Sequence, residues 1–204
     1  TDPHGKWQHT SQHVSTVDED LLTNGIMFDG SSISGWKEIN ESDMVLKPDV
    51  STAVMDPFSE DPTLIIIADV LEPNGEPYAR DPRSITKHAE TYLVEKGFGD
   101  FAYFGPEPEF FIFDSVQFSV EQNHCFYRVD SEEGPYNSGA DYPRGNLGHR
   151  PAPKGGYFPA PPIDHSNAIC NEILNVLHDI GVHVEKLHHK AAPSQHELGI
   201  RYEP

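Results

Sequence analysis

The spacing of apolar residues predicts two helices in this chain. The first is expected to begin after Asp81, whose side chain can cap it, with Pro82 at the first helical position. Its apolar face repeats at intervals of three and four residues and consists of Ile85, Ala89, Tyr92 and Leu93. Gly97 follows where such a helix would end.

The second predicted helix lies near the end of the chain. Its apolar stripe consists of Ile169, Ile173, Leu177 and Ile180. Gly181 ends it, and residues 182–189 then alternate between apolar and polar types, as a strand does.

Shorter apolar runs predict strands elsewhere. Residues 25–28, 63–71, 101–104 and 107–113 fit this pattern, with a Gly-Pro break between the last two. The first 24 residues are polar and histidine-rich with weak strand signals, and residues 130–162 form a long Gly/Pro-rich stretch. Strands and helices are mixed without a regular βαβ repeat, so we predict an α+β fold with a domain boundary near residue 80.

The charge balance excludes several classes of partner. Fourteen basic and 33 acidic residues give a formal net charge of −19. Non-specific binding to nucleic acid or to anionic membranes requires basic residues, so both are disfavoured. Two distant cysteines, Cys125 and Cys170, make neither a disulfide framework nor a zinc cluster. A soluble cytoplasmic protein is expected, and the abrupt ends suggest a fragment.

Two neighbouring carboxylates are the first candidate for chemistry. Glu107 and Glu109 lie in the sequence Gly-Pro-Glu-Pro-Glu-Phe-Phe, and in an extended chain they would point to the same face, roughly 6.5 Å apart. A hard divalent cation such as Mg²⁺ or Mn²⁺ would relieve their repulsion. The alternative is a strand whose acidic face meets solvent.

Other segments are less specific. The pair His188 and His189 can suggest zinc, but adjacent strand residues point to opposite faces and cannot easily bind one ion. The turn that begins at Asp29 narrowly misses the G-x-S-x-G nucleophile elbow, because Ser34 occupies the last glycine position. The chain contains neither a P-loop nor a G-x-G-x-x-G motif, so any nucleotide must be bound in another way.

Taken together and in order, these segments resemble glutamine synthetases of the bacterial type. The resemblance spans essentially the whole chain and corresponds to the N-terminal half of the family. The matching motifs begin at residues 27, 40, 80, 105, 148 and 192; they read MFDGSSI, NESDM, RDPRS, GPEPEFF, GHRP and APSQHE. Lys47-Pro48-Asp49 and the segment Lys154-Gly155-Gly156-Tyr157-Phe158-Pro159 extend two of them.

The resemblance implies a fold, an assembly and a reaction. Residues 1–80 are expected to form a β-grasp domain that is truncated at its start, and residues 81–204 the N-terminal portion of the catalytic domain. Family subunits form two stacked hexameric rings, with each active site between neighbouring subunits. ATP phosphorylates glutamate, and ammonia then displaces phosphate from γ-glutamyl phosphate to give glutamine.

The resemblance also assigns roles to individual residues. Asp29 corresponds to the carboxylate that takes a proton from ammonium, with the substrate-binding residues Ser32 and Tyr157 lining that pocket. Glu185 and Tyr202 correspond to nucleotide contacts. The ligands of two Mg²⁺ or Mn²⁺ ions correspond to Glu107, Glu109 and Glu197, with Glu109 and Glu197 on the same ion.

One residue departs from the family pattern. Lys190 occupies a position usually held by a glutamate metal ligand. A protonated lysine only donates hydrogen bonds and cannot ligate a metal, so it either disables that metal site or places its ammonium where the ion would lie, between Glu109 and Glu197. It can also be an engineered or mis-assigned residue. Lys190 is the only support for one alternative, a non-catalytic assembly protein. A ligase for another amine or acid also stays open, and the 204-residue chain alone is expected to be inactive.

Overall fold

The computed structural model describes residues 1–137 and 150–204. Gly148 and His149 of the predicted GHRP motif lie outside the described residues. The helices and strands, in chain order, are α1 (Glu19–Asn24), β1 (Ile26–Asp29), β2 (Asp43–Pro48), β3 (Val54–Met55), β4 (Leu64–Ile65), β5 (Ala68–Leu71), α2 (Pro82–Glu95), β6 (Glu109–Phe111), β7 (Ser115–Val120), β8 (Cys125–Asp130), α3 (Asn167–Asp179), β9 (Val184–His189) and β10 (Gln195–Ile200). Single 3-10 turns lie at Val14–Thr16, Gly30–Ser32, Ile39–Glu41 and Val50–Thr52.

The chain forms two compact units, residues 1–102 and 103–204. These units describe contacts within the fold rather than family domains, so the domain boundary predicted at residue 80 stays a prediction. None of the helices in the described part of the chain is long and apolar enough to cross a membrane.

The first unit is built on a three-stranded antiparallel sheet in the order β1-β2-β5. Its core is a small cluster of buried side chains on this sheet and the adjoining loops: Trp36, Met44, Val70 and Tyr78. The Tyr78 hydroxyl donates a hydrogen bond to the Trp36 carbonyl at 2.9 Å, which satisfies the polar end of a buried aromatic residue. The sheet places Asp29 at the end of β1, opposite Asp43 of β2.

Helix α2 is tied to this sheet by ion pairs. Arg83 donates hydrogen bonds to Asp49 at 2.6 Å and to Asp69 at 2.9 Å, and Lys87 pairs with Asp69 at 2.5 Å. All three contacts are partly exposed, so their main effect is to fix the orientation of the helix rather than to add much stability.

The second unit contains a three-stranded antiparallel sheet in the order β6-β10-β9 and a separate hairpin, β7-β8. Helix α3 packs against β9. The central strand β10 pairs with both neighbours, so that Glu197 lies opposite Glu109 of β6 and opposite His188 of β9. The register of β10 therefore decides which side chains meet in this unit.

Both predicted helices are confirmed. The Asp81 side chain accepts a hydrogen bond from the Ser84 N–H at 3.1 Å, and Pro82 is the first residue of α2. Gly97 and Gly181 follow the two helices with φ values of +68° and +89°, a conformation that glycine adopts without steric cost.

The observed strands differ from the predicted ones at several places. Residues 63–71 form two strands instead of one, because β4 pairs with β3 whereas β5 pairs with β2. Residues 101–104 contribute only an isolated bridge between Phe104 and Glu203. The weak strand signals of residues 1–24 were misleading, since this segment contains the helix α1, which Asp18 caps.

Strand β6 is also shorter than predicted, since it begins at Glu109 and not at Glu107. Prolines 106 and 108 have no N–H to donate, which interrupts the ladder. Their carbonyl groups still accept hydrogen bonds from Ile200 at 3.2 Å and Leu198 at 3.0 Å. Glu107 therefore precedes the strand in a segment that continues alongside β10.

A glycine between α1 and β1 provides a test of this packing. Gly25 has φ +79°, and a Cβ added there would lie 2.3 Å from the carbonyl oxygen of Leu46 in β2. Gly25 also has ψ −167°, a combination that essentially only glycine adopts. We expect Gly25→Ala to lower the free energy of unfolding by clearly more than the roughly 1–3 kcal/mol of backbone strain alone. Denaturant titration of the full-length protein measures the difference.

The matched control is Gly75→Ala. Gly75 has φ +87°, and among the described residues no atom lies within 4 Å of a Cβ placed there. Equal losses of stability in the two variants would contradict the close approach of Gly25 to β2.

Candidate functional site

Three residues noted in the sequence, Lys190, Glu109 and Glu197, meet where β6 pairs with β10. The Lys190 ammonium lies 3.2 Å from Glu109 Oε1 and also contacts Glu197 Oε2. Glu109 and Glu197 are cross-strand partners, so the register of the sheet places both carboxylates beside one cation. The structure thus contains the arrangement in which the ammonium lies between the two glutamates. We call these three residues the lysine–glutamate cluster.

The two carboxylates differ in their exposure to solvent. The Glu197 side chain is only 6% exposed, whereas that of Glu109 is 44% exposed. A buried carboxylate is costly unless it is paired, so Glu197 depends on the ammonium more than Glu109 does. Gln195 donates a further hydrogen bond to Glu109 Oε2 at 2.6 Å, which leaves this carboxylate held by two donors.

The donor set of the lysine–glutamate cluster does not fit a divalent ion. Two carboxylates alone would suit Mg²⁺ or Mn²⁺, which prefer oxygen ligands. Here both are already paired with an ammonium, which offers only donors and would repel a second cation. Glu107 is exposed and outside this cluster. Within residues 1–137 and 150–204, no group of three or more His, Cys, Asp or Glu side chains is arranged to hold a metal.

A second buried carboxylate supports the loop that carries Lys190. Both oxygens of Glu133 lie 2.9 Å from His189 Nε2, and Oε1 lies 3.1 Å from His165 Nδ1. The backbone N–H of Ser194 donates to Oε2. Because His189 and Ser194 flank the turn from β9 to β10, Glu133 fixes both ends of the segment that contains Lys190.

The carboxylate and the histidines of this network stabilise each other's charged forms. Burial by itself would raise the pKa of Glu133, but hydrogen bonds from His165, His189 and Ser194 outweigh it and lower this pKa to about 2. Hydrogen bonding to Glu133 and its charge raise the pKa of both histidines, against the opposing effect of burial. His189 Nδ1 lies 2.6 Å from the Gly156 carbonyl, so both ring nitrogens face acceptors and the doubly protonated imidazolium is favoured.

Asp29 and Ser32 meet in the first unit. One oxygen of Asp29 accepts hydrogen bonds from the Ser31 hydroxyl at 2.6 Å and the Ser31 N–H at 2.9 Å. The other accepts from the Ser32 hydroxyl at 2.7 Å. The side-chain hydrogen bonds from Ser31 and Ser32 lower the pKa of Asp29, which is exposed. In this conformation the carboxylate is suited to attract a cation more than to remove its proton.

The remaining predicted residues lie at separate places on the second unit. Tyr157 is half exposed, stacks on Phe158 at 4.2 Å between ring centroids, and meets His188 edge-on at 5.5 Å. Glu185 is exposed on β9. Tyr202 is exposed and stacks on Tyr103 at 5.5 Å. Exposed aromatic faces of this kind suit a flat ligand.

Sequence reasoning missed Glu133 and His165. Both lie in or just after the Gly/Pro-rich stretch of residues 130–162, where neither helical nor strand periodicity applies. The only available signal was the length of that stretch, since long irregular segments inside compact units usually have a function.

The buried Glu133 network predicts a characteristic dependence of stability on pH. Glu133 has a lowered pKa, so its contribution is complete above about pH 4.5 and is lost as the pH falls towards 2. His165 and His189 have raised pKa values, so theirs is complete below about pH 6.5 and is lost as the pH rises further. We expect Glu133→Gln to cost on the order of 3 kcal/mol between about pH 4.5 and 6.5, and less on either side.

Unfolding of the full-length protein, followed by circular dichroism across this pH range, measures the effect. Glu132→Gln is the matched control, because Glu132 contacts His165 at 3.2 Å but does not contact the buried His189. A difference between parent and Glu133→Gln that is constant from pH 3 to pH 8 would contradict the network.

Comparison with known proteins adds the family. The family model for the glutamine synthetase β-grasp domain matches residues 1–73, and that for the glutamine synthetase catalytic domain matches residues 79–204. A glutamine synthetase from Azospirillum brasilense is 62% identical over 204 residues, which are 100% of this chain and 44% of that protein. A 3-hydroxylaminophenol mutase from Cupriavidus pinatubonensis is 52% identical, over 99% of this chain and 43% of that protein.

A solved structure is similar as well. The cryo-EM structure of Plasmodium falciparum glutamine synthetase superposes with a TM-score of 0.82 at 30% identity, covering 94% of this chain and 38% of that one. The chain spans less than half the length of these relatives. The predicted fold class, a β-grasp domain followed by the first part of the catalytic domain, is confirmed. The chain belongs to the glutamine synthetase family, of which it corresponds to the N-terminal half.

Proposed function

We propose that the complete protein is a glutamate–ammonia ligase, which uses ATP to form γ-glutamyl phosphate and then glutamine. The observation that carries the proposal is the match of both family models along the chain, supported by 62% identity to a glutamine synthetase. The 204 residues alone are proposed to be inactive, since they span 44% of that relative.

Asp29 and Ser32 of one subunit, and Tyr157 of a neighbouring subunit, are proposed to contribute to the ammonium site. The Asp29 carboxylate, held as an anion by Ser31 and Ser32, would attract ammonium electrostatically. Ammonium must lose a proton before its nitrogen can attack, so Asp29 would have to give up a serine hydrogen bond to act as an efficient base. Tyr157, with its exposed ring, would supply a cation-binding face.

Glu185 and Tyr202 are proposed to contact the nucleotide, in line with their exposure. Divalent ions, Mg²⁺ or Mn²⁺, would neutralise the phosphates in such a reaction. Glu107, Glu109 and Glu197 are the ligands that the family resemblance proposes. Only Glu107 is free of the lysine–glutamate cluster, so no step is assigned here to an ion bound by Glu109 and Glu197.

The assembly is part of the proposal. We infer two stacked hexameric rings with active sites shared between neighbouring subunits, a domain boundary at residue 80, and a cytoplasmic location. The formal charge of −19 argues against nucleic acid and anionic membranes as partners. Glutamate, ammonium, ATP and other copies of the protein are proposed from the family resemblance.

A second candidate is a non-catalytic assembly protein, and the observation that favours it is the lysine–glutamate cluster. An ammonium paired with Glu109 and Glu197 would preserve the fold while it removes one ion from the reaction. A ligase for another amine is a variant of the first proposal. The mutase relative shows that family membership alone does not fix the reaction.

The first functional prediction concerns the reaction itself. We expect the full-length protein, given glutamate, ammonium, ATP and Mg²⁺ or Mn²⁺, to release glutamine and phosphate in equal amounts. Product analysis by mass spectrometry, with methylamine and 3-hydroxylaminophenol in parallel reactions, identifies the substrate. Absence of turnover with every substrate, in a preparation of intact rings, would favour the non-catalytic candidate.

The second functional prediction concerns shared sites. Asp29→Asn and Glu107→Ala should each abolish activity, because one residue acts on ammonium and the other on a metal. If each site takes these residues from different subunits, rings reassembled from an equal mixture should regain about a quarter of the parental activity. Mixed rings that stay inactive would show that both residues act within one subunit, and rings of each variant alone are the control.

A further inference from the structure

We propose that the Lys190 ammonium is an internal cation that takes the place of one divalent ion between Glu109 and Glu197. The protein would then bind one Mg²⁺ or Mn²⁺ fewer per subunit than a site with a carboxylate at position 190. The inference rests on the proposed function only for the identity of the ion, because the pairing itself belongs to the folded chain.

The fold brings two negative charges, those of Glu109 and Glu197, close together. Antiparallel pairing of β6 with β10 sets Glu109 directly opposite Glu197, and like charges on directly paired strand residues are destabilising. Glu197 is almost fully buried, so solvent does little to screen it. In this structure the Lys190 ammonium balances the pair.

The backbone of Lys190 is held in a position from which its ammonium reaches both carboxylates. Its backbone N–H donates to the Gln195 carbonyl at 2.7 Å, which closes the turn between β9 and β10. His189 is anchored by Glu133 at 2.9 Å, and Ser194 is anchored by the same carboxylate. The side chain therefore starts from a fixed backbone, and little freedom of the main chain is lost when the ammonium reaches the two glutamates.

Lysine and a divalent ion are mutually exclusive here. The ammonium contacts both carboxylates, which are the oxygen donors that an ion would need. An ion that displaced Lys190 would leave a second cation close by in a partly buried site, and this repulsion is twice that between two single charges. A carboxylate at position 190 would reverse both effects, since it adds a ligand and removes the competing charge.

The experiment counts Mn²⁺ ions bound per subunit of the full-length protein, by electron paramagnetic resonance and calorimetry without nucleotide. Lys190→Glu is expected to bind one more Mn²⁺ per subunit than the parent, with an affinity at least tenfold higher than any residual binding there. Lys190→Arg, which keeps the charge, should bind the same number as the parent. Lys96→Glu, an exposed residue of the first unit, controls for the change in net charge.

A second variant keeps the test decisive if Lys190→Glu does not fold. If the ammonium fills the position, Glu109→Gln in the parental background should change Mn²⁺ affinity less than twofold. A tenfold loss in Glu109→Gln, or equal Mn²⁺ counts in the parent and a folded Lys190→Glu, would overturn the proposal. These counts do not depend on turnover, so a failure of the proposed ligase activity would be seen separately in the product assay.

Discussion

The second unit depends on the neutralisation of two buried carboxylates, Glu197 and Glu133. Neither can be left unpaired, because an uncompensated charge away from water costs several kcal/mol. Lys190 neutralises Glu197, and the His165–His189 pair neutralises Glu133. Since His189 directly precedes Lys190, the ion pairs of Glu133 and of Glu197 are linked through one short turn. The position of the lysine therefore depends on the buried histidine network as well as on its own ion pairs.

The two units differ in the kind of side chain that they bury. The first unit packs Trp36, Met44, Val70 and Tyr78 into an ordinary apolar cluster. In the second unit, the fully buried side chains are mainly polar: His189, His196, Glu133, Ser131, Ser166 and Ser194. Buried polar networks contribute little stability unless every member is paired, but they fix geometry closely. Such a core is suited to holding charged side chains at set positions rather than to maximising stability.

The sequence predicted those parts of the fold that local rules determine. The two longer helices were found because capping residues and apolar spacing agree, as they do for Asp81 and Pro82. The break in the segment 63–71 was missed because a change of strand partner is a tertiary event. The meeting of Lys190 with Glu109 and Glu197 was one of three alternatives considered for this lysine. Only the register of β10, which no local pattern encodes, places the three side chains together. Glu133 was missed because it lies in an irregular segment and its two histidine partners are 32 and 56 residues away along the chain.

The lysine–glutamate cluster shows that sequence similarity can establish the fold without establishing the chemistry at each position. Identity of 62% to a glutamine synthetase reflects the fold and most of the motifs, whereas the chemistry at one position depends on one side chain. Replacing a divalent ion by an ammonium preserves a positive charge for the two glutamates, so the sheet need not change. It lowers that charge and removes the open coordination positions through which an ion could hold a phosphate. A chain with lysine at this position can thus keep the family fold, because a cation still lies between Glu109 and Glu197, although it offers fewer ligands to a divalent ion.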